Sequence, residues 1–94
     1  MSIVVRFTSA AGMRDEQYDE VLRQLEASES TWPPDGMAYH VAFKLGDSFR
    51  VSEIWDSPEQ LEAFGERLLP LLAEHGVELA GEPEIAEVYN IISR

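Results

Sequence analysis

Residues 37–56 read MAYHVAFKLGDSFRVSEIWD, and this stretch restricts the fold more than any other. Two runs rich in β-branched and aromatic residues flank Gly46-Asp47. Such a dipeptide suits a two-residue hairpin turn, because glycine supplies the positive φ that the turn demands. The turn sets Leu45 opposite Ser48. The register then places Lys44 against Phe49, Ala42 against Val51, His40 against Glu53 and Ala38 against Trp55 on one face. Phe43 against Arg50, Val41 against Ser52 and Tyr39 against Ile54 occupy the other. A slip of one residue would exchange the faces. Both faces are rich in apolar groups, whereas a sheet covered on one side only alternates more cleanly.

The rest of the chain supplies partners for this hairpin. Ser2–Thr8, with Ile3, Val4, Val5 and Phe7, reads as a strand. From Met13 to about Ser28, Tyr18, Val21, Leu22 and Leu25 fall at helical spacing, with Asp15, Glu16, Asp19, Glu20 and Arg23 on the opposite face. Asp19 and Arg23 are spaced to pair across one turn. Thr31-Trp32-Pro33-Pro34-Asp35-Gly36 reads as a stiff loop. After the hairpin, Ser57 is a natural helix cap, Pro58 fits the first helical position and Gln60 completes a capping box. Leu61, Phe64, Leu68 and Leu72 face inward. Pro70 lacks the N–H that would bond the residue-66 carbonyl, which predicts a kink or break near Leu69. A polar loop from Glu78 to Glu84 leads to a last strand, Ile85–Ile92.

The element order is β-α-β-β-α-β in one domain, residues 1–94. The ferredoxin-like topology is the economical solution: a four-stranded antiparallel sheet with two helices on one face. The uncovered apolar face predicts a homodimer formed sheet to sheet.

Composition narrows the partners. Seven basic residues against eighteen acidic give a net charge of −11, which disfavours nucleic acid and anionic membrane surfaces. No apolar run is long enough to span a membrane. MSIVVRFTSAAG has no basic start and reads as a strand, not a signal peptide. The chain has no cysteine, which excludes disulfides and thiolate chemistry and fits a cytoplasmic protein. His40 and His75 are the only histidines, too few for a histidine-rich metal centre. The acidic side of the first helix reads as a solvated face, not a metal site.

Four segments, GMRDEQYDEVLRQLE, PPDGMAYHVAF, FRVSEIWDSPEQLEAF and EVYNII, resemble small bacterial proteins of the dimeric α/β-barrel superfamily, whose best-known members are the antibiotic-biosynthesis-monooxygenase-like proteins. The resemblance spans nearly the whole chain. It implies a homodimer with a ligand pocket between helices and sheet in each subunit. Many monooxygenase-like relatives carry a histidine on the second helix, where this chain has Phe64. Haem-degrading relatives pair a first-strand Asn with a later-helix His; the strand SIVVRFT has no Asn, so His75 carries no haem role.

The residues with chemical potential are few. A carboxylate among Val51, Ile54 and Trp55 needs a partner if buried, and His40 is the expected cross-strand partner of Glu53. Either could serve as a base. Trp55, Tyr18, Tyr39 and Phe64 are candidate pocket walls, although packing alone accounts for large aromatics equally well. Asn90, placed mid-strand, calls for a polar partner inside and joins the candidate ligand contacts. Trp32 reads as a packing lid or a dimer contact. Three functions compete: a cofactor-independent oxygenase or related enzyme acting on a small apolar or aromatic ligand, a non-catalytic ligand-binding dimer, and a dimerisation scaffold. The first needs an acidic substrate C–H, a base and a dry apolar pocket, with no metal or flavin. A scaffold would fill the pocket with Phe64, Leu68 and Trp55.

Overall fold

The computed structural model describes all 94 residues. The elements are β1 (Ile3–Thr8), α1 (Asp15–Ser28), β2 (Met37–Leu45), β3 (Ser48–Trp55), α2 (Pro58–Glu74) and β4 (Glu84–Glu87). The strands form one antiparallel sheet in the order β2-β3-β1-β4, the ferredoxin-like arrangement. Both helices lie on one face. Ile3 and Val5 from the sheet, Val21 and Leu25 from α1, Trp55, Phe64 and Val77 make the buried core. No helix is long and apolar enough to cross a membrane.

The hairpin register follows the expectation from Leu45–Ser48 through Tyr39–Ile54. Gly46 supplies the turn with φ +62°. The last pair differs. A bulge between Met37 and Tyr39 sets Met37, not Ala38, opposite Trp55. One inserted residue reverses the side-chain sense beyond it. Met37 therefore turns toward the core, and Ala38 is left exposed.

Ser57 caps α2 by accepting from the Gln60 backbone N–H at 3.3 Å. The reciprocal half of the capping box is replaced: the Ser57 hydroxyl donates to Gln60 Oε1, and Gln60 Nε2 donates to Asp35. Gly36 sits directly over that glutamine, φ +92°, and a Cβ there would lie 2.5 Å from Gln60 Cδ. This close approach anchors the 31–36 loop at the hairpin base.

Three expectations are corrected. Helix α2 runs unbroken from Pro58 to Glu74 with Pro70 inside it. Glu66 and Pro70 are both exposed, so the carbonyl left without a partner lies on the wet side. Inward packing of Leu61, Phe64, Leu68 and Leu72 holds the helix on either side. Arg23 pairs with Glu20, not Asp19, since residues three apart also meet on a helix. That bond, with a second from Gln24, lowers the Glu20 carboxyl to about 2. Finally, β4 spans only Glu84–Glu87. Beyond it, the Val88 N–H still bonds the Ser2 carbonyl, but the chain then runs past the start of β1 and has no strand to pair with.

Candidate functional site

A cavity of about 260 Å³ lies between the helices and the sheet, and 15 of its 19 lining residues are hydrophobic. Phe7, Val51 and Phe49 form its sheet side. Val21, Leu22, Leu25, Phe64, Leu68 and Leu72 form its helix side, with Trp32 and Pro33 also on the wall. A cavity of roughly 150 Å³ is enough for benzene, so this one suits a larger fused-ring compound. Phe64 and Leu68 line the space without filling it, unlike the packed interior that a scaffold requires.

Polar chemistry is concentrated at Tyr18, His40 and Glu53, and these three form one chain. Tyr18 Oη lies 2.8 Å from His40 Nε2. His40 Nδ1 lies 2.6 Å from Glu53 Oε2. Trp55 Nε1–H donates to Glu53 Oε1 at 2.9 Å. Each contact has a local cause. The Gly46 turn sets His40 opposite Glu53. Residues 53 and 55 share a strand face because they are two apart, which brings the indole N–H to the second carboxylate oxygen. Tyr18 descends from the first full turn of α1, with its ring stacked on Phe49 at 5.6 Å.

Donor and acceptor roles follow from these contacts. Trp55 can only donate, and Glu53 as a carboxylate only accepts. His40 therefore carries its proton on Nδ1 when neutral, which leaves Nε2 to accept from the Tyr18 hydroxyl. The Tyr18 hydroxyl is held above its ordinary value of 10.0, first by burial, then by the negative charges of Glu53 and Asp19. It stays protonated at neutral pH.

Of the candidate residues, the structure brings together Tyr18, His40, Glu53 and Phe64 around one cavity. Trp55 stands behind it: it is fully buried, packs on Phe64 at 5.2 Å between ring centroids, and reaches the site only through its N–H. Tyr39 belongs to the opposite sheet face and is half exposed. Asn90 lies in the exposed segment beyond β4 and lines no part of the cavity. Both fall outside the site for geometric reasons: Tyr39 by strand parity, Asn90 because its strand ends early. Phe49 was legible as a site residue, since it shares the His40 face, yet only the placement of α1 reveals it as the platform for Tyr18. No group of three or more His, Asp or Glu side chains is arranged to hold a metal ion.

No protein-family model matches this sequence, and no curated protein matches it either. Solved structures do. SnoaB from Streptomyces nogalater, described as a cofactor-independent oxygenase, superimposes with a TM-score of 0.69 at 9% identity, covering 99% of this chain and 98% of SnoaB. MupZ from Pseudomonas fluorescens gives 0.65 at 11% identity over 99% and 94% of the two chains. A proposed antibiotic-biosynthesis monooxygenase from Deinococcus radiodurans gives 0.59 at 20% identity over 100% and 98%. End-to-end coverage at these scores establishes that the chain has the ferredoxin-like fold of the antibiotic-biosynthesis-monooxygenase-like proteins.

Proposed function

We propose that this chain is a homodimeric small-molecule enzyme of the cofactor-independent oxygenase kind, in which His40 and Glu53 remove a proton from an apolar substrate held in the cavity. The observation that carries this reading is the hydrogen-bonded chain Tyr18–His40–Glu53–Trp55 at the polar corner of an otherwise apolar cavity. A buried carboxylate bonded to an imidazole holds its ring orientation and stabilises the imidazolium that forms on proton uptake. Apolar walls strengthen those interactions by keeping water out.

The substrate class follows from the walls. An anion is disfavoured by Glu53 and by the net charge of −11. A neutral fused-ring compound with one acidic CH₂ group fits. Once one of its two hydrogens has left as the proton, the carbanion can reduce dioxygen directly. The new C–O bond gives a peroxide anion, which takes the proton back from the His40 imidazolium, and the second hydrogen then leaves with the outer oxygen as water, giving a carbonyl. Dioxygen is the oxidant and the substrate carbon is oxidised. The overlap of fold with SnoaB supports this reading.

The test is oxygen uptake with a panel of enolisable fused-ring ketones. Uptake that depends on the protein and falls at least about a hundredfold in His40→Gln is expected for a general base. Tight binding with no oxygen uptake in any case would favour the non-catalytic ligand-binding alternative.

A further inference from the structure

Every polar group of this corner already has a partner. Both carboxylate oxygens of Glu53 are engaged, one by His40 and one by Trp55. Both ring nitrogens of His40 are engaged, Nδ1 by Glu53 and Nε2 by Tyr18. The indole N–H has no acceptor capacity. A ligand proton arriving at this corner therefore finds no free ring nitrogen, and Glu53, 3% exposed, already holds a donor on each carboxylate oxygen. Tyr18 Oη belongs to the less buried side chain. It spends its proton on Nε2 and keeps lone pairs to accept another. Its ring stacks on Phe49 at 5.6 Å and lies 6.2 Å from the His40 ring. The oxygen is thus positioned as well as unsaturated.

We infer that Tyr18 is a catalytic residue, the atom that receives the substrate proton being its Oη, and that His40 acts only through it. This rests on the function proposed above and divides its labour. The ligand C–H or O–H bond breaks and its proton forms a new bond to Tyr18 Oη. In the same step the original Tyr18 hydroxyl proton moves to His40 Nε2. The ligand keeps the electron pair, Tyr18 ends neutral, and the positive charge rests on an imidazolium facing the Glu53 carboxylate. Tyrosinate never forms as a free species, so the elevated proton affinity of Tyr18 is compatible with the transfer. After transfer the hydrogen bonds point the other way. Nε2–H donates to Tyr18 Oη, and the Tyr18 O–H points at the new ligand anion and stabilises it. One hydroxyl serves first as acceptor and then as the donor at the charge that develops.

Two measurements test this. The first needs no ligand: two-bond ¹H–¹⁵N spectra of ¹⁵N-histidine-labelled protein at about pH 8, where histidine is ordinarily neutral, with His40 assigned by the His75→Gln variant. Protonated Nδ1 and bare Nε2 on His40 are expected. A proton on Nε2 overturns the relay, because Tyr18 would already be the acceptor of that bond. The second uses 2-naphthol, a fused-ring compound with one acidic hydroxyl whose anion is distinguished by its absorption. Wild-type protein should ionise bound 2-naphthol at a pH below that of the free compound. At saturating 2-naphthol, Tyr18→Phe should lose at least about tenfold of the bound anion population, a loss within the usual range of one proton-transfer group. A Tyr18→Phe protein that still ionises it shows direct transfer to His40 and overturns the relay while leaving the proposed function standing. If wild-type protein does not ionise it, the proposed function loses its support, and the spectra still decide the direction of the Tyr18–His40 bond.

Discussion

Glu53 is the residue on which the polar corner depends. It is 3% exposed and holds two donors that no water can replace. In Glu53→Gln the amide oxygen serves one of these donors and the NH₂ group faces the other. A buried donor left opposite a donor costs about 1–3 kcal/mol, so urea titration should show a loss of that size, together with loss of ligand ionisation. An unchanged midpoint would mean that the corner is wetter than its geometry implies. Tyr18 makes a separate prediction about pH. Its proton is held above the ordinary value of 10.0 in the folded chain. Below that value folded and unfolded chains are equally protonated, and this group adds no pH dependence. Above it the unfolded chain releases the proton while the folded chain retains it, so stability falls as pH rises through the folded value. Tyr18→Phe should lose stability less steeply than wild type across that alkaline window; parallel curves would contradict the burial assigned to the hydroxyl. The pairing of His40 with Glu53 was legible from the turn alone, because two glycine-directed residues fix the register of the whole hairpin. The bond from Tyr18 to His40 was not. Periodicity places Tyr18 on the apolar face of α1, but the azimuth at which that face meets the sheet is set by packing against Phe49 of β3, which no local pattern encodes.

At the scale of elements, the differences from sequence-based expectation have one character: local rules gave way to packing. The bulge at Ala38 exchanges a small side chain for Met37 opposite Trp55, filling the core at the expense of a regular ladder. Strand β4 stops at Glu87 although VYNII has high β-propensity, since a strand exists only where another pairs with it. Helix α2 tolerates Pro70 because the residue faces solvent and the apolar stripe on the other side is continuous. Proline inside a helix still forfeits a hydrogen bond and crowds the preceding turn, a penalty of up to about 3 kcal/mol. Pro70→Ala should therefore raise the urea midpoint by about 1–3 kcal/mol of stability without altering ligand binding. A neutral or destabilising result would show that α2 bends at Pro70 to fit the sheet and that the bend contributes to packing.

For the whole molecule, the balance between buried and exposed apolar surface bears on the proposed dimer. Only 10 of 94 residues are buried, a small core even for a chain of this size. The sheet face away from the helices carries Val4, Tyr39, Val41, Phe43, Leu45 and Ile54, and Tyr39, Phe43 and Leu45 are 51%, 42% and 56% exposed. Beyond β4, Tyr89, Ile91 and Ile92 are exposed as well. An apolar face of this kind on a lone subunit is an aggregation hazard unless something covers it, and a second copy is the occupant whose surface is certain to match in character. In a two-fold dimer each residue of the patch meets its own counterpart or a near neighbour, so one substitution changes the interface twice. Phe43→Glu introduces a carboxylate from each subunit into a contact between chains already at −11 each. Burying an unpaired charge is costly, so the dissociation constant should rise by at least about a hundredfold, equivalent to roughly 2.8 kcal/mol at 1.4 kcal/mol per decade. Light scattering at micromolar concentration should report a dimer for wild type and a monomer for Phe43→Glu. Because Phe43 points away from the cavity, the variant's hairpin and the Tyr18–His40–Glu53 chain should survive, with the His40 ¹⁵N pattern unchanged. A wild-type chain that is monomeric at that concentration, or a Phe43→Glu protein that remains dimeric, would remove the sheet face from the interface.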